Sequence, residues 1–206
     1  MMQNNIARDL AFRNVRRFNF KRVLGVGSIE LLLSLTLVGT LAGLALPQYR
    51  DATEERRLAN GAEQIVSFVN TVRSESIKRN KPIAVSYTAQ EDGRWCLGAV
   101  QGNTPCDCMQ SDVTEAGFCA IESSAWLLSD GSVQLDNLIS SVSGDGSFTI
   151  DPVRGIFVDF TDKLTLGLQS GEGQFQMYLR LIATGKPSLC LSEGSQKIAG
   201  YKTCSH

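Results

Sequence analysis

The sequence predicts an α+β fold: a long N-terminal helix whose first half spans a membrane, packed through its second half on an antiparallel β domain. Three observations carry this. One contiguous, predominantly apolar stretch runs from Val26 to Leu46. Beyond it, apolar residues recur at three- and four-residue spacing up to Ile77. After Asn80-Lys81-Pro82 the pattern turns to short apolar or alternating runs divided by turn residues.

The apolar stretch is broken only by Glu30 and a few small or hydroxyl residues. As a helix its length is about 30 Å at 1.5 Å per residue, the thickness of a bilayer core. Charge fixes its direction. Before Val26 stand Arg8, Arg13, Arg16, Arg17, Lys21 and Arg22 against Asp9 alone, a net of +5; the remaining residues carry −6. Basic flanks stay cytoplasmic, so the bulk of the chain is expected outside. In composition, 43% hydrophobic and 20% charged residues suit a packed core and exclude general disorder.

Residues 47–80 continue as an amphipathic helix. Leu58, Ala62, Ile65, Val66, Val69, Val72 and Ile77 share one face, while Arg56, Arg57, Glu63, Arg73 and Lys78 mostly fall elsewhere. Pro47 removes one helical hydrogen bond and is expected to bend or loosen the helix rather than end it, because the periodicity resumes at once.

Residues 81–206 read as β structure. Expected strands are Ile83–Tyr87, Trp95–Val100, Phe118–Ile121, Val133–Leu135, Phe148–Ile150, Ile156–Phe160, Leu164–Leu168, Phe175–Ile182, Leu189–Leu191 and Lys197–Ala199. Asp92-Gly93, Asp130-Gly131 and Asp145-Gly146 are turn signals. Short strands at this spacing, with no second helical pattern, suggest antiparallel sheets on the helix.

Six cysteines, all in the exported part, suggest disulfides made in an oxidising compartment. Cys96, Cys106, Cys108 and Cys119 could hold zinc in principle, but no CxxC pair is present and His206 is the sole histidine. These four allow three pairings. A bond across Cys106-Asp107-Cys108 is strained, which favours pairing each of the two with Cys96 or Cys119.

Catalytic sets are missing too. With His206 alone, neither serine nor cysteine chemistry has a base inside the fold. Ser143-Gly144-Asp145-Gly146-Ser147 lacks the oxygen spacing of a calcium loop, and Ser170-Gly171-Glu172-Gly173 reads as a turn. No enzyme activity, metal or cofactor is expected.

The N-terminal segment is not an ordinary secretory signal, since no small-residue cleavage site follows the apolar run. Instead Lys21-Arg22-Val23-Leu24-Gly25 stands before it, Glu30 lies five residues past Gly25, and Pro47 twenty-two residues past it. This combination resembles the class III signal of type IV pilins and type II secretion pseudopilins. The resemblance implies that residues 1–25 are a leader removed by a prepilin peptidase after Gly25, that Val26 becomes the N-methylated terminus, and that residues 26–46 form the membrane part of the helix. Val26-Gly27-Ser28 departs from the family's usual Phe-Thr-Leu. An unpaired carboxylate in hydrocarbon is costly, so Glu30 needs a partner. The α-amino group of a neighbouring subunit's Val26 would supply one and set register in a filament.

The globular part narrows the resemblance to the GspH/FimT group of minor pilins and pseudopilins. Val72–Asn80 looks like that group's helix end, and Trp95-Cys96-Leu97-Gly98 like its Trp-x-x-Gly strand. Cys106, Cys108 and Cys119 resemble a cysteine cluster of FimU-like members. Leu189-Cys190-Leu191-Ser192, Gly194 and Cys204 resemble the C-terminal hairpin closed by a disulfide. Closing that loop stabilises by about 3 kcal/mol in the chain-entropy model. The resemblance implies a structural minor pilin of type IV pilus assembly or initiation, anchored in the bacterial inner membrane with its domain in the periplasm and partnered by other pilin or pseudopilin subunits. A GspH-type pseudopilin of type II secretion is the alternative. A DNA receptor is a further one, disfavoured because Gly194-Ser195-Gln196-Lys197 stands where FimT-type members carry Gly-Arg-x-Arg. Only Lys197 and Lys202 remain there, on a chain of net negative mature charge. A membrane-anchored enzyme ranks last.

Overall fold

The computed structural model describes residues 27–204 apart from 91, 131, 133–136, 141–145, 159–162, 172 and 183, with backbone only at 44–47, 137–140 and 163. Gly25, Val26 and the expected strand Val133–Leu135 lie outside the described residues. The architecture is α+β. Among the described residues one helix, α1 (Ser28–Arg79), precedes ten strands: β1 (Ile83–Ala89), β2 (Trp95–Gln101), β3 (Ala120–Ile121), β4 (Ser124–Ala125), β5 (Leu127–Ser129), β6 (Asn137–Ser140), β7 (Gly146–Ile150), β8 (Lys163–Gln169), β9 (Gln176–Ile182) and β10 (Pro187–Leu191). Two compact units result, one up to Ala45 and one from Leu46.

Helical backbone runs through Pro47, which is therefore no helix stop. In the second unit, Leu58, Ala62, Ile65, Val69, Val72 and Ser76 form the buried stripe, each at most 1% exposed. Their spacing of four and three residues keeps one face inward. Ile77, expected on this face, is instead 47% exposed. Ser76 takes the place because its hydroxyl donates to Lys81 O at 2.8 Å, with Ile150 O at 3.3 Å, so its polarity is satisfied inside. The helix closes with Asn80 in the left-handed region (φ 51°). Asn80 N–H bonds Ile77 O and Lys81 N–H bonds Ser76 O, a Schellman ending that satisfies the last carbonyls.

The strands form two four-stranded antiparallel sheets, β5-β2-β1-β7 and β10-β9-β8-β6, and a small β3-β4 ribbon. In β9, Met177, Leu179 and Leu181 are buried and alternate with half-buried Gln176, Tyr178 and Arg180, the pattern of a sheet with one wet face. β1 and β2 differ: five consecutive residues are buried in each. One face, with Ile83, Val85, Tyr87, Trp95, Leu97 and Ala99, joins the helix stripe in the core. The other lies under a cysteine-bonded loop.

Lys197–Ala199, expected as a strand, is not one; among the described residues the edge of β10 away from β9 carries a bridge at Leu191–Thr203. Phe157 likewise makes a single bridge, to Ile150, in place of a strand over Ile156–Phe160, of which 159–160 lie outside the described residues. Both segments are anchored by tertiary contacts rather than by a repeating ladder. β4 and β5 are too short for a periodic signal.

Candidate assembly interface

The helix begins where Gly27 O accepts the N–H groups of Glu30 (2.9 Å) and Leu31 (3.1 Å). Glu30 thus sits in the first turn, where unsatisfied N–H groups favour a negative charge. Around it the large apolar side chains from Ile29 to Leu41 are 58–72% exposed. The hydroxyls of Ser34, Thr36 and Thr40 each donate to the carbonyl three residues back, at 2.8–2.9 Å. Those polar groups are satisfied within the helix and tolerate hydrocarbon. The Glu30 carboxylate has no such partner among the described residues. The helix is long and apolar enough to cross a membrane.

A second feature is the loop after β2. Cys96 bonds Cys108, and Cys106 bonds Cys119, with Cα separations of 5.7 and 5.2 Å. The four cysteines are buried together, with Val100 and Met109 packed against them. They lie on Gly98, where a Cβ would overlap Sγ and Cβ of Cys119 and Cβ of Cys108. The Trp-x-x-Gly spacing therefore has a physical cause: Trp95 fills the core on one face, and Gly98 makes room for two disulfides on the other. All the sulfurs are committed to these bonds and to Cys190–Cys204, and among the described residues no group of three or more His, Cys, Asp or Glu could hold a metal.

The family model described as type II transport protein GspH matches residues 61–185, well over half of the chain. The chain belongs to the GspH family. The match starts within the buried stripe of α1 and ends at the β9–β10 turn, so it covers most of the folded domain and stops short of β10 and the C-terminal loop. No curated protein and no solved structure matches the chain. The GspH family is pilin-like, structural and non-enzymatic, and membership supports a pseudopilin or minor pilin role in type II secretion or pilus systems.

Two features of this GspH domain were not legible as sites. Arg73 donates from Nε to Gly155 O at 2.6 Å. Gly155 and Gly185, both at positive φ, crowd the same guanidinium, and a Cβ at Gly185 would overlap Gly155 O. Arg73 thus fastens the Gly155 loop to the helix, and the Gly185 loop packs closely beside it; the sequence signal is a glycine in each loop, which no local pattern ties to Arg73. The C-terminal loop is fastened similarly. Cys190–Cys204 closes it, with a Cα separation of 4.9 Å. Ala199 N–H reaches Glu55 Oε1 at 3.2 Å, and Tyr201 O–H donates to Glu63 Oε1 at 2.8 Å. Burial first, then the Glu63 carboxylate, pushes the Tyr201 phenol up to about 12. Ser195 Oγ accepts Gln176 N–H at 2.9 Å. Lys197 and Lys202 are exposed on this loop, which rests on helix carboxylates.

Proposed function

We propose that the chain is a minor pilin that takes part in assembly or initiation of a type IV pilus. The observation that carries this reading is the apolar half of α1: its large side chains exposed from Ile29 to Leu41, the hydroxyls of Ser34, Thr36 and Thr40 satisfied internally, and one carboxylate, Glu30, left over. In hydrocarbon that carboxylate requires a cation. The proposed cation is the α-amino group of Val26 on an adjacent subunit, released by prepilin peptidase after Gly25 and methylated. Residues 26–46 then anchor the subunit in the bacterial inner membrane, Pro47 loosens the helix where it leaves, and the domain from about residue 81 stands in the periplasm until the subunit enters the filament. No cofactor takes part.

The test is Glu30→Ala in the producing bacterium. Membrane insertion and cleavage at Gly25 are expected to persist, with mature mass beginning at Val26, while the fraction of subunit in sheared pili falls. Normal incorporation of Glu30→Ala, or a mature terminus beyond Leu46, overturns the mechanism.

The description of the matched family favours a second reading, a pseudopilin of type II secretion. Deleting the gene separates the two: loss of surface pili with secretion intact supports the first, and loss of secretion with pili intact supports the second. DNA uptake is disfavoured. Two lysines on a loop seated on Glu55 and Glu63 offer few phosphate contacts, so binding of duplex DNA at physiological salt is expected to be weak. A submicromolar, steeply salt-dependent affinity lost in a Lys197→Ala/Lys202→Ala double variant reverses that ranking.

A further inference from the structure

The four cysteines around Gly98 are joined in an interleaved order. Along the chain they stand as Cys96, Cys106, Cys108 and Cys119. Their bonds run from the first to the third and from the second to the fourth, across 12 and 13 positions. Cys190 and Cys204 differ: they are consecutive cysteines and pair with each other.

The unfolded chain does not select the interleaved order. The cost of closing a loop grows only as the logarithm of its length. Cys96 therefore closes on Cys106 about as readily as on Cys108, two residues farther. A first bond to Cys106 leaves Cys108 with Cys119, and the sequential pairs Cys96–Cys106 and Cys108–Cys119 follow. What selects the native order is the docking of the loop. Gly98 has no side chain, and Cys108 from one bond and Cys119 from the other lie directly on it. The same docking seals the sulfurs. The four cysteines are at most 7% exposed, with Val100 and Met109 packed against them. Sequential bonds must therefore be exchanged before the loop closes, while an outside thiolate can still reach them.

We propose that this chain is a substrate of a thiol–disulfide isomerase, and that exchange among these four cysteines stands between their oxidation and the closing of the domain. The inference rests on the reading that the domain is exported to an oxidising compartment, and not on which filament it enters. A disulfide-bearing oxidase first takes two electrons and two protons for each bond formed, its own disulfide becoming a dithiol. The isomerase thiolate then attacks Cys106 Sγ of a Cys96–Cys106 bond, making a mixed disulfide and releasing the Cys96 thiolate. Cys96 attacks Cys108 Sγ of the Cys108–Cys119 bond and releases the Cys119 thiolate. Cys119 attacks Cys106 Sγ in the mixed disulfide and frees the isomerase thiolate. Two protein disulfides stand before and after, so the exchange itself consumes no oxidant. Cys190–Cys204 needs no such step, because its consecutive pairing is the native one.

The experiment follows the full-length chain in the producing bacterium and in a strain lacking its exported thiol–disulfide isomerases. Free thiols are blocked by alkylation and the bonds are mapped on non-reduced peptides. With the isomerases, Cys96–Cys108 and Cys106–Cys119 are expected throughout. Without them, at least about half of the molecules are expected to carry Cys96–Cys106 and Cys108–Cys119, because the two first closures are nearly equal in cost. Cys190–Cys204 is expected in both strains and serves as the internal control. A Cys106→Ala/Cys119→Ala chain has no choice of partner within the loop, so its Cys96–Cys108 bond is expected to form equally in both. As a second readout, the reduced, unfolded full chain is oxidised in detergent. Oxidised glutathione alone is expected to leave sequential bonds, and added reduced glutathione to convert them to the native pairs. Complete native pairing in the strain without isomerases, or in oxidised glutathione alone, overturns the proposal by showing that the fold chooses the partners before the bonds form. Isomerase dependence of the Cys106→Ala/Cys119→Ala chain overturns it in favour of a folding role unrelated to partner choice. Six free thiols in both strains mean that the domain is not exported to an oxidising compartment, and that reading fails together with this inference.

Discussion

The two halves of α1 are both helical and both rich in apolar residues, yet they are built for different surroundings. From Ile29 to Leu41 the large side chains stand exposed on all sides and the hydroxyls turn back on their own backbone. From Leu58 to Ser76 one stripe is buried, Ala59, Val66 and Phe68 pack beside it, and most other positions carry charge or polar groups. The difference is one of periodicity rather than of hydrophobicity alone. An all-round apolar helix needs an apolar solvent or many neighbours, whereas a striped helix needs one folded partner. The second half therefore cannot be altered without touching the core of the domain.

The sharpest way to break this comparison is a matched pair of truncations. Ile65→Ala empties part of a fully buried position and is expected to destabilise the domain by about 2–5 kcal/mol. Leu35→Ala is expected to change domain stability by less than about 0.5 kcal/mol, because its side chain is exposed. Thermal melts of the full chain in detergent check both. Equal losses would mean that the first half is also a core helix.

Next in size is Ser76→Ala, at the end of the stripe. It leaves the Lys81 carbonyl without its donor and is expected to cost about 1–3 kcal/mol. The same replacement at Ser34, whose hydroxyl only returns to Leu31 O on an exposed surface, is expected to be neutral in the same melts. A neutral Ser76→Ala would show that the hydroxyl merely fills space.

Tyr201→Phe is expected to cost about 1 kcal/mol, since it removes the bond to Glu63 that ties the C-terminal loop to the striped half. The raised phenol pKa gives this bond a pH signature. The proton is held more tightly in the folded chain, so the contribution is complete below the ordinary tyrosine value near 10 and disappears as pH rises towards about 12. Alkaline melts of wild type should show the loss, and Tyr201→Phe should lack that component. A profile unchanged by the substitution would place the alkaline loss elsewhere.

Smallest is the end of the helix. Hydrogen bonds from Arg79 and then Lys78 hold the Glu75 carboxyl below its ordinary value. A depressed carboxyl contributes stability above its unfolded value and loses it as pH falls through the folded one. Glu75→Gln should flatten only the acid limb of the stability profile, slightly, because exposed pairs contribute little. A large effect at neutral pH would make this pair part of the core it adjoins.

The fold was legible wherever periodicity is strong. The stripe at Leu58, Ala62, Ile65, Val69 and Val72, the long strands β1, β2, β8 and β9, and the change of pattern at Asn80-Lys81-Pro82 are all local signals. Failures fall where a tertiary contact outweighs the local pattern. Ile77 is apolar and in phase, yet Ser76 takes the buried place because two carbonyls await its hydroxyl. Lys197–Ala199 has strand-like composition, yet the loop is held by Glu55, Glu63 and Cys190–Cys204 instead of by a ladder.

What the sequence determined by itself was the class of molecule. A basic N-terminal segment, an apolar run of membrane length with a single acid, a striped helix and short β runs follow from composition and spacing, and spacing is local. The tertiary structure alone decided which atoms meet. Four cysteines allow three pairings, strain across Cys106-Asp107-Cys108 disfavours one, and only the packing of the loop on Gly98 joins Cys96 to Cys108 and Cys106 to Cys119. Arg73 reads as one more exposed helix charge until Gly155 and Gly185 close on it. Glu54 reads the same way until its oxygen proves buried and alone. Such facts depend on residues far apart in the chain, and burial of a polar atom is a property of the neighbours that surround it.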